Sequence, residues 1–120
     1  MENVEKGIRS ESSWRRRKKP VALELDESGI IQKCSDDSEI LLGYSREELF
    51  RHHISELLPQ FARIELFKQG KIDPRLDFLC HFGHFFQVQR RDGDSFLSEL
   101  HLFSINKEEY SGIRLLISPC

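Results

Sequence analysis

Long apolar runs are missing from this sequence. None approaches the ~18 residues that a membrane-spanning helix requires, so no membrane span is expected. The opening stretch, MENVEKGIRSESSWRRRKKP, lacks the apolar segment of a secretory signal, and a cytoplasmic location is the expectation. Cysteine is scarce: Cys34, Cys80 and Cys120 are odd in number, with no C-x-x-C and no regular spacing. That excludes a disulfide framework or a zinc knuckle and reads as reduced thiols. Signatures of catalysis are absent too. There is no Gly-rich phosphate loop, no H-E-x-x-H and no G-x-S-x-G, so the chain is not expected to be an enzyme. What remains is 120 residues, 38% hydrophobic and 32% charged, which suits one small globular domain with a core that needs no staples. A repeat solenoid and a multidomain enzyme are excluded by length.

The net charge of −2 hides an asymmetry. Residues 1–19 hold seven Lys/Arg and three Glu, while the remainder holds eleven Lys/Arg and seventeen Asp/Glu. Five of the basic residues are consecutive, from Arg15 to Lys19. Such a run suits a nucleic-acid contact, a localisation signal or a solvated linker. The acidic body and the absence of a second basic or aromatic patch disfavour nucleic acid. The segment 1–19 is therefore read as a basic tail before a domain at 20–120. Trp14, just ahead of the run, is an apolar side chain that docking on a surface would bury.

From Val21 the pattern becomes regular. Val21, Leu23 and Leu25 alternate as one face of a strand, and Asp26-Glu27-Ser28-Gly29 is a turn into a second strand at Ile30 and Ile31. Ser35 and the two aspartates after it predict a helix start, with Ile40, Leu41 and Leu42 as its apolar face and Gly43 as its stop. Ser45-Arg46-Glu47-Glu48 is a capping box for a second short helix carrying Leu49 and Phe50. A further turn at 55–58 stops at Pro59. Phe61, Ile64, Leu66 and Phe67 have roughly helical spacing, closed by Gly70. Leu76, Phe78, Leu79 and Phe82 must then find burial. Phe85 to Arg90 and Phe96 to Ile105 are extended arms about the turn Asp92-Gly93. In the second arm Phe96, Leu100 and Leu102 share a face. Leu97, Glu99, His101, Phe103 and Ile105 share the other, which is too apolar for a solvated surface. Asn106 to Gly112 reads as a loop, and Ile113, Leu115 and Ile117 as one face of a last strand. Strands on either side of a helical block predict an α+β fold, an antiparallel sheet with helices on one face.

Three stretches in this order resemble a PAS domain, the sensory module of bacterial kinases and chemoreceptors. They are Asp26-Glu27-Ser28-Gly29-Ile30-Ile31 with Gly43-Tyr44 downstream; Ser45-Arg46-Glu47-Glu48-Leu49 through Ile54 to Pro59; and Arg90-Arg91-Asp92-Gly93. The resemblance covers Val21 to Ile117, with Ser35 standing where many relatives carry Asn. It implies a five-stranded antiparallel sheet with short helices packed on one face, and a pocket between them.

On that basis Phe78, His81, Phe86 and Leu100 are expected to line a pocket for a small molecule. Leu97, Phe103 and Trp14 are expected at a homodimer interface on the outer sheet face, coupled to a linked or partner output domain. A ligand-free interaction module is the alternative, and a nucleic-acid-binding regulator acting through residues 15–19 a weaker one. Eight of the nine phenylalanines lie between Phe61 and Phe103 and are read as core before pocket. No cofactor is the leading expectation. Haem, in the resembled family, would take an axial histidine near His81 or His84, with Cys80 adjacent. Flavin photochemistry is disfavoured, because Phe78-Leu79-Cys80-His81-Phe82 lacks the Asn, Arg and Gln of the flavin-reactive cysteine motif.

Overall fold

The computed structural model describes residues 19–68 and 71–120. Strands β1 (Val21–Asp26) and β2 (Ile31–Cys34) come first. Two short helices follow, α1 (Ser38–Leu42) and α2 (Arg46–Leu49), then single 3-10 turns at Ile54–Glu56 and Pro59–Phe61. A small ribbon, β3 (Phe67–Lys68) with β4 (Lys71–Ile72), leads into α3 (Pro74–His81). The chain finishes with β5 (Phe86–Gln89), β6 (Ser95–Lys107) and β7 (Tyr110–Pro119). Five of these strands make one antiparallel sheet in the order β2-β1-β7-β6-β5.

The resembled motifs turn out to be hydrogen-bonding devices. Asp26 Oδ1 accepts from the N–H groups of Ser28 (2.9 Å) and Ile30 (3.0 Å), which folds the β1–β2 turn. Gly29 takes φ +88° in that turn, and a Cβ there would lie 2.8 Å from His53 Nε2. Gly43 adopts φ +79° and ends α1 by donating its N–H to Glu39 O. The capping box of α2 forms in full: Ser45 Oγ accepts from Glu48 N, and Glu48 Oε1 from Ser45 N. Ser35 does not cap α1. Its Oγ accepts from Ala22 N at 3.1 Å, pinning the exit of β2 to β1, and the N-cap position belongs to Asp37, whose side chain makes no capping hydrogen bond.

Strand alternation sets the core. Val21, Leu23 and Leu25 pair with Ile117, Leu115 and Ile113, and all six are fully buried. Val88, Ser98 and Leu100 continue this inner face onto β5 and β6. Leu41, Leu42, Leu49, Ile54, Leu57, Leu58 and Phe61 close over it from the helical side.

Two expected elements differ. The segment Phe61–Phe67 is not helical: after the 3-10 turn it runs irregularly into β3, with Ile64 exposed. Asn106–Gly112 is no loop, because the β6–β7 ladder runs to Lys107↔Tyr110 and closes on Glu108-Glu109. Two adjacent glutamates lack the Gly or Asn that marks tight hairpins, so the turn left no sequence signal.

Candidate functional site

The outer face of the sheet is built by the same alternation that fills the core. On either side of buried Ser98 and Leu100, β6 turns Leu97 and Phe103 outward, with 53% and 51% of their surface exposed. Beside Phe103 a shallow groove of about 810 Å³ runs across β1, β6 and β7, lined by Ala22, Ile105 and Leu116 among others. The Arg114–Glu24 ion pair crosses it at 3.0 Å between paired strand positions. This face is mixed: Glu99 and His101 stand between Leu97 and Phe103 on β6, and apolar Ala22 and Leu116 lie beside Glu24 and Arg114 on β1 and β7. Trp14 and the run 15–18 lie outside the described residues, as does the expectation that the tryptophan joins this face.

The expected inner pocket is not assembled. Phe86 and Leu100 are in the core, at 4% and 0% exposure. Phe78 and His81 are on the opposite side of α3, open to solvent. The reason is the period of the helix. Leu76 and Cys80, four residues apart, form the stripe that packs inward, so Phe78 and Phe82 form a second stripe that must point out. Their ring centroids are 4.4 Å apart, with the planes tilted by 42°. The phenylalanines accordingly divide. Phe61 and Phe86 are buried, whereas Phe50, Phe78, Phe82, Phe85 and Phe103 are each roughly half exposed or more. The reading of the aromatic segment as core holds for only part of it.

Haem does not fit the positions offered for it. The inward faces are filled by Val88, Leu100, Leu115 and their neighbours, and the His81 side chain is 80% exposed. His84 is exposed as well, its ring lying edge-on to Phe86 at 4.7 Å. Among the described residues no group of three His, Cys, Asp or Glu side chains could hold a metal ion. Burial, reinforced by the Asp77 carboxylate, pushes the Cys80 thiol up to about 11, far from the thiolate a reactive cysteine needs.

A different cleft is present, which the sequence reading did not find. It has a volume of about 510 Å³ and lies between the 60–65 segment and α3. Phe86, Leu76, Leu79 and Ile64 give it apolar walls, and Gln60, Arg63, Glu65, Asp73, Arg75 and His84 give it a polar rim. These residues are scattered in sequence without a motif, and only the irregular path of residues 62–66 brings them to α3.

The Arg90-Arg91-Asp92-Gly93 turn has a structural role beyond closing β5 on β6. Arg90 Nη1 donates to Ile40 O (2.9 Å) and Leu41 O (2.5 Å), the last carbonyls of α1. Arg91 N donates to Leu42 O, and the Arg91 guanidinium meets Glu48 at 3.0 Å. Asp92, whose carboxylate accepts from Asp94 N, is held below the usual range by that bond first, then by Arg90. The hairpin is thus tied to the helical layer. No described helix is long and apolar enough to cross a membrane.

No protein-family model and no curated protein matches the sequence. Solved structures do match the fold. A PAS domain of an HTR-like protein from Haloarcula marismortui superposes with a TM-score of 0.67 at 19% identity, over 100% of both chains. A PAS domain from a two-component sensor histidine kinase gives 0.64 at 14% identity, again over 100% of both. The PAS domain of nitrogen regulation protein NR(II) from Vibrio parahaemolyticus gives 0.57 at 15% identity, over 84% of this chain and 89% of that one. The chain has the PAS fold, with the five-stranded antiparallel sheet and short helices that its sequence motifs imply.

Proposed function

We propose that this PAS fold serves as a signalling module that self-associates through its outer sheet face and so regulates a linked or partner output domain. The observation that carries the reading is the pair Leu97 and Phe103, large apolar side chains each more than half exposed on one strand. Burying the exposed half of each against a second copy is worth ~0.8–1.5 kcal/mol, about half the value of full burial. A two-fold contact would present the same row to itself. The solved PAS domains named above come from a sensor kinase and a nitrogen regulation protein. That analogy supports signalling but does not supply the residues. The module acts by association rather than by catalysis, in the cytoplasm, with residues 1–19 as a tail to the domain at 20–120.

The filled inner face favours a ligand-free core over a sensor whose ligand sits among Phe86 and Leu100. Any small molecule is then left to the surface cleft at α3. The native mass of the purified chain tests the main reading. The unsubstituted protein is expected to be a dimer, and Leu97→Glu and Phe103→Glu to be monomers with unchanged circular dichroism. A dimer that survives both substitutions, or a monomeric parent protein at tens of micromolar, overturns the outer face as the site of association.

A further inference from the structure

We infer that the cleft between the 60–65 segment and α3 binds a small organic monocarboxylate with an apolar body. The cleft lies on the helical side of the sheet, opposite Leu97 and Phe103, and the inference stands whether or not the outer face pairs. Its volume of about 510 Å³ falls within the ~300–1,000 Å³ typical of small-molecule sites. The floor is apolar: Leu76 and Phe86 are buried, and Ile64 and Leu79 are each 37% exposed, presenting oily surface that water covers poorly.

The rim supplies the polar specificity. Arg63 enters from the irregular segment and Arg75 from the first turn of α3, so the two guanidinium groups come from separate elements. Neither makes an ion pair or a side-chain hydrogen bond among the described residues. That sets them apart from Arg46, Arg90, Arg91 and Arg114, all of which are paired. Each offers a planar fork of N–H donors, the shape that fits a carboxylate in two-point contact. Asp73 does not compete for these forks as an open acceptor. It is buried, and its Oδ1 accepts from the Arg75 backbone N–H at 2.9 Å to cap α3. The charges of Asp73 and Glu65 do penalise a doubly charged anion, which selects a single carboxylate over a phosphate or a dicarboxylate. An apolar body behind that carboxylate would lie on Leu79, Leu76 and Phe86.

The test is a titration of the full chain with 3-phenylpropionate, followed by backbone amide shifts in heteronuclear NMR. The alcohol 3-phenylpropan-1-ol and the amine 3-phenylpropylamine serve as comparators. Saturable shifts centred on residues 63–65, 75–79 and 84–86 are expected for the carboxylate. Affinity should be at least about tenfold weaker for the alcohol, the value of one lost charge-assisted contact. Arg63→Gln with Arg75→Gln should lose about tenfold or more in affinity at an unchanged thermal midpoint. Both side chains are exposed, and the cap on Asp73 uses only backbone N–H. Four results overturn the inference: no saturable shift, equal affinity for alcohol and carboxylate, preference for the amine, or full affinity in the double variant. Because shifts are read residue by residue, failure here is distinguishable from failure of the outer face to associate.

Discussion

Removing the Arg90 side chain should unlatch the β5–β6 hairpin from the helical layer. Its guanidinium is only 9% exposed and reaches two carbonyls, Ile40 O and Leu41 O, nearly fifty residues away in sequence. A hydrogen bond from a charged donor contributes ~1.5–3 kcal/mol. The Leu41 contact is partly buried, so its carbonyl would lose its partner without full hydration in exchange, and takes the upper part of that range. The Ile40 contact is exposed and water can replace it, leaving ~0.5–1 kcal/mol. The cation also complements the carbonyl end of α1, for a further ~0.3–1 kcal/mol. Arg90→Ala should therefore cost about 3–5 kcal/mol. In a domain of this size that lowers the melting midpoint by ~10 °C or more. Urea unfolding followed by circular dichroism measures it, with Arg91→Ala as the control. Arg91 is 59% exposed and pairs with Glu48 only at the surface, so its loss should cost ~0–1 kcal/mol. If the two variants lie within ~0.5 kcal/mol of each other, the latch contributes no more than a surface ion pair and the reasoning is wrong.

Two further outcomes follow from single side chains. Ser38 is fully buried and its Oγ has no hydrogen-bond partner among the described residues, so Ser38→Ala should leave stability unchanged or raise it by ~1 kcal/mol in the same urea assay. The three thiols should react in order of access and acidity. Mass-spectrometric mapping of alkylation at pH 8 should find exposed Cys120 modified first and Cys80 last. Because the Cys80 thiol is raised from 9.0 to about 11, its contribution to stability is complete below pH 9 and is lost as pH rises from there toward 11. Early labelling of Cys80, or stability insensitive to pH across that window in comparison with Cys80→Ala, would contradict its placement.

What could be read from the chain alone were the features whose cause lies within a few residues. The Asp26–Gly29 turn, the Gly43 stop, the Ser45–Glu48 capping box and the Asp92-Gly93 hairpin are all made by side chains bonding to neighbouring backbone. The two faces of β6 were legible for a similar reason, since strict alternation puts Leu97 and Phe103 opposite Ser98 and Leu100 once the residues are in a strand. Fold class followed from the order of those local pieces.

Burial on a helix was not decided locally. Residues 76–82 carry two apolar stripes, Leu76 with Cys80 and Phe78 with Phe82, and periodicity treats them alike. Only docking of α3 against β6 chose the first as core and left the aromatic pair outside, separating Phe78 and His81 from Phe86 and Leu100. Ser35 is of a type that suits a cap, yet β1 offers it Ala22 N instead. The α3 cleft is tertiary throughout: Arg63 and Arg75 share no repeat and no spacing, and line one cleft because the chain between them doubles back through β3 and β4. Short-range hydrogen bonding is written in sequence because its partners are adjacent. A cleft or a latch requires partners tens of residues apart, and those are brought together only when the sheet and the helical layer close on their common core.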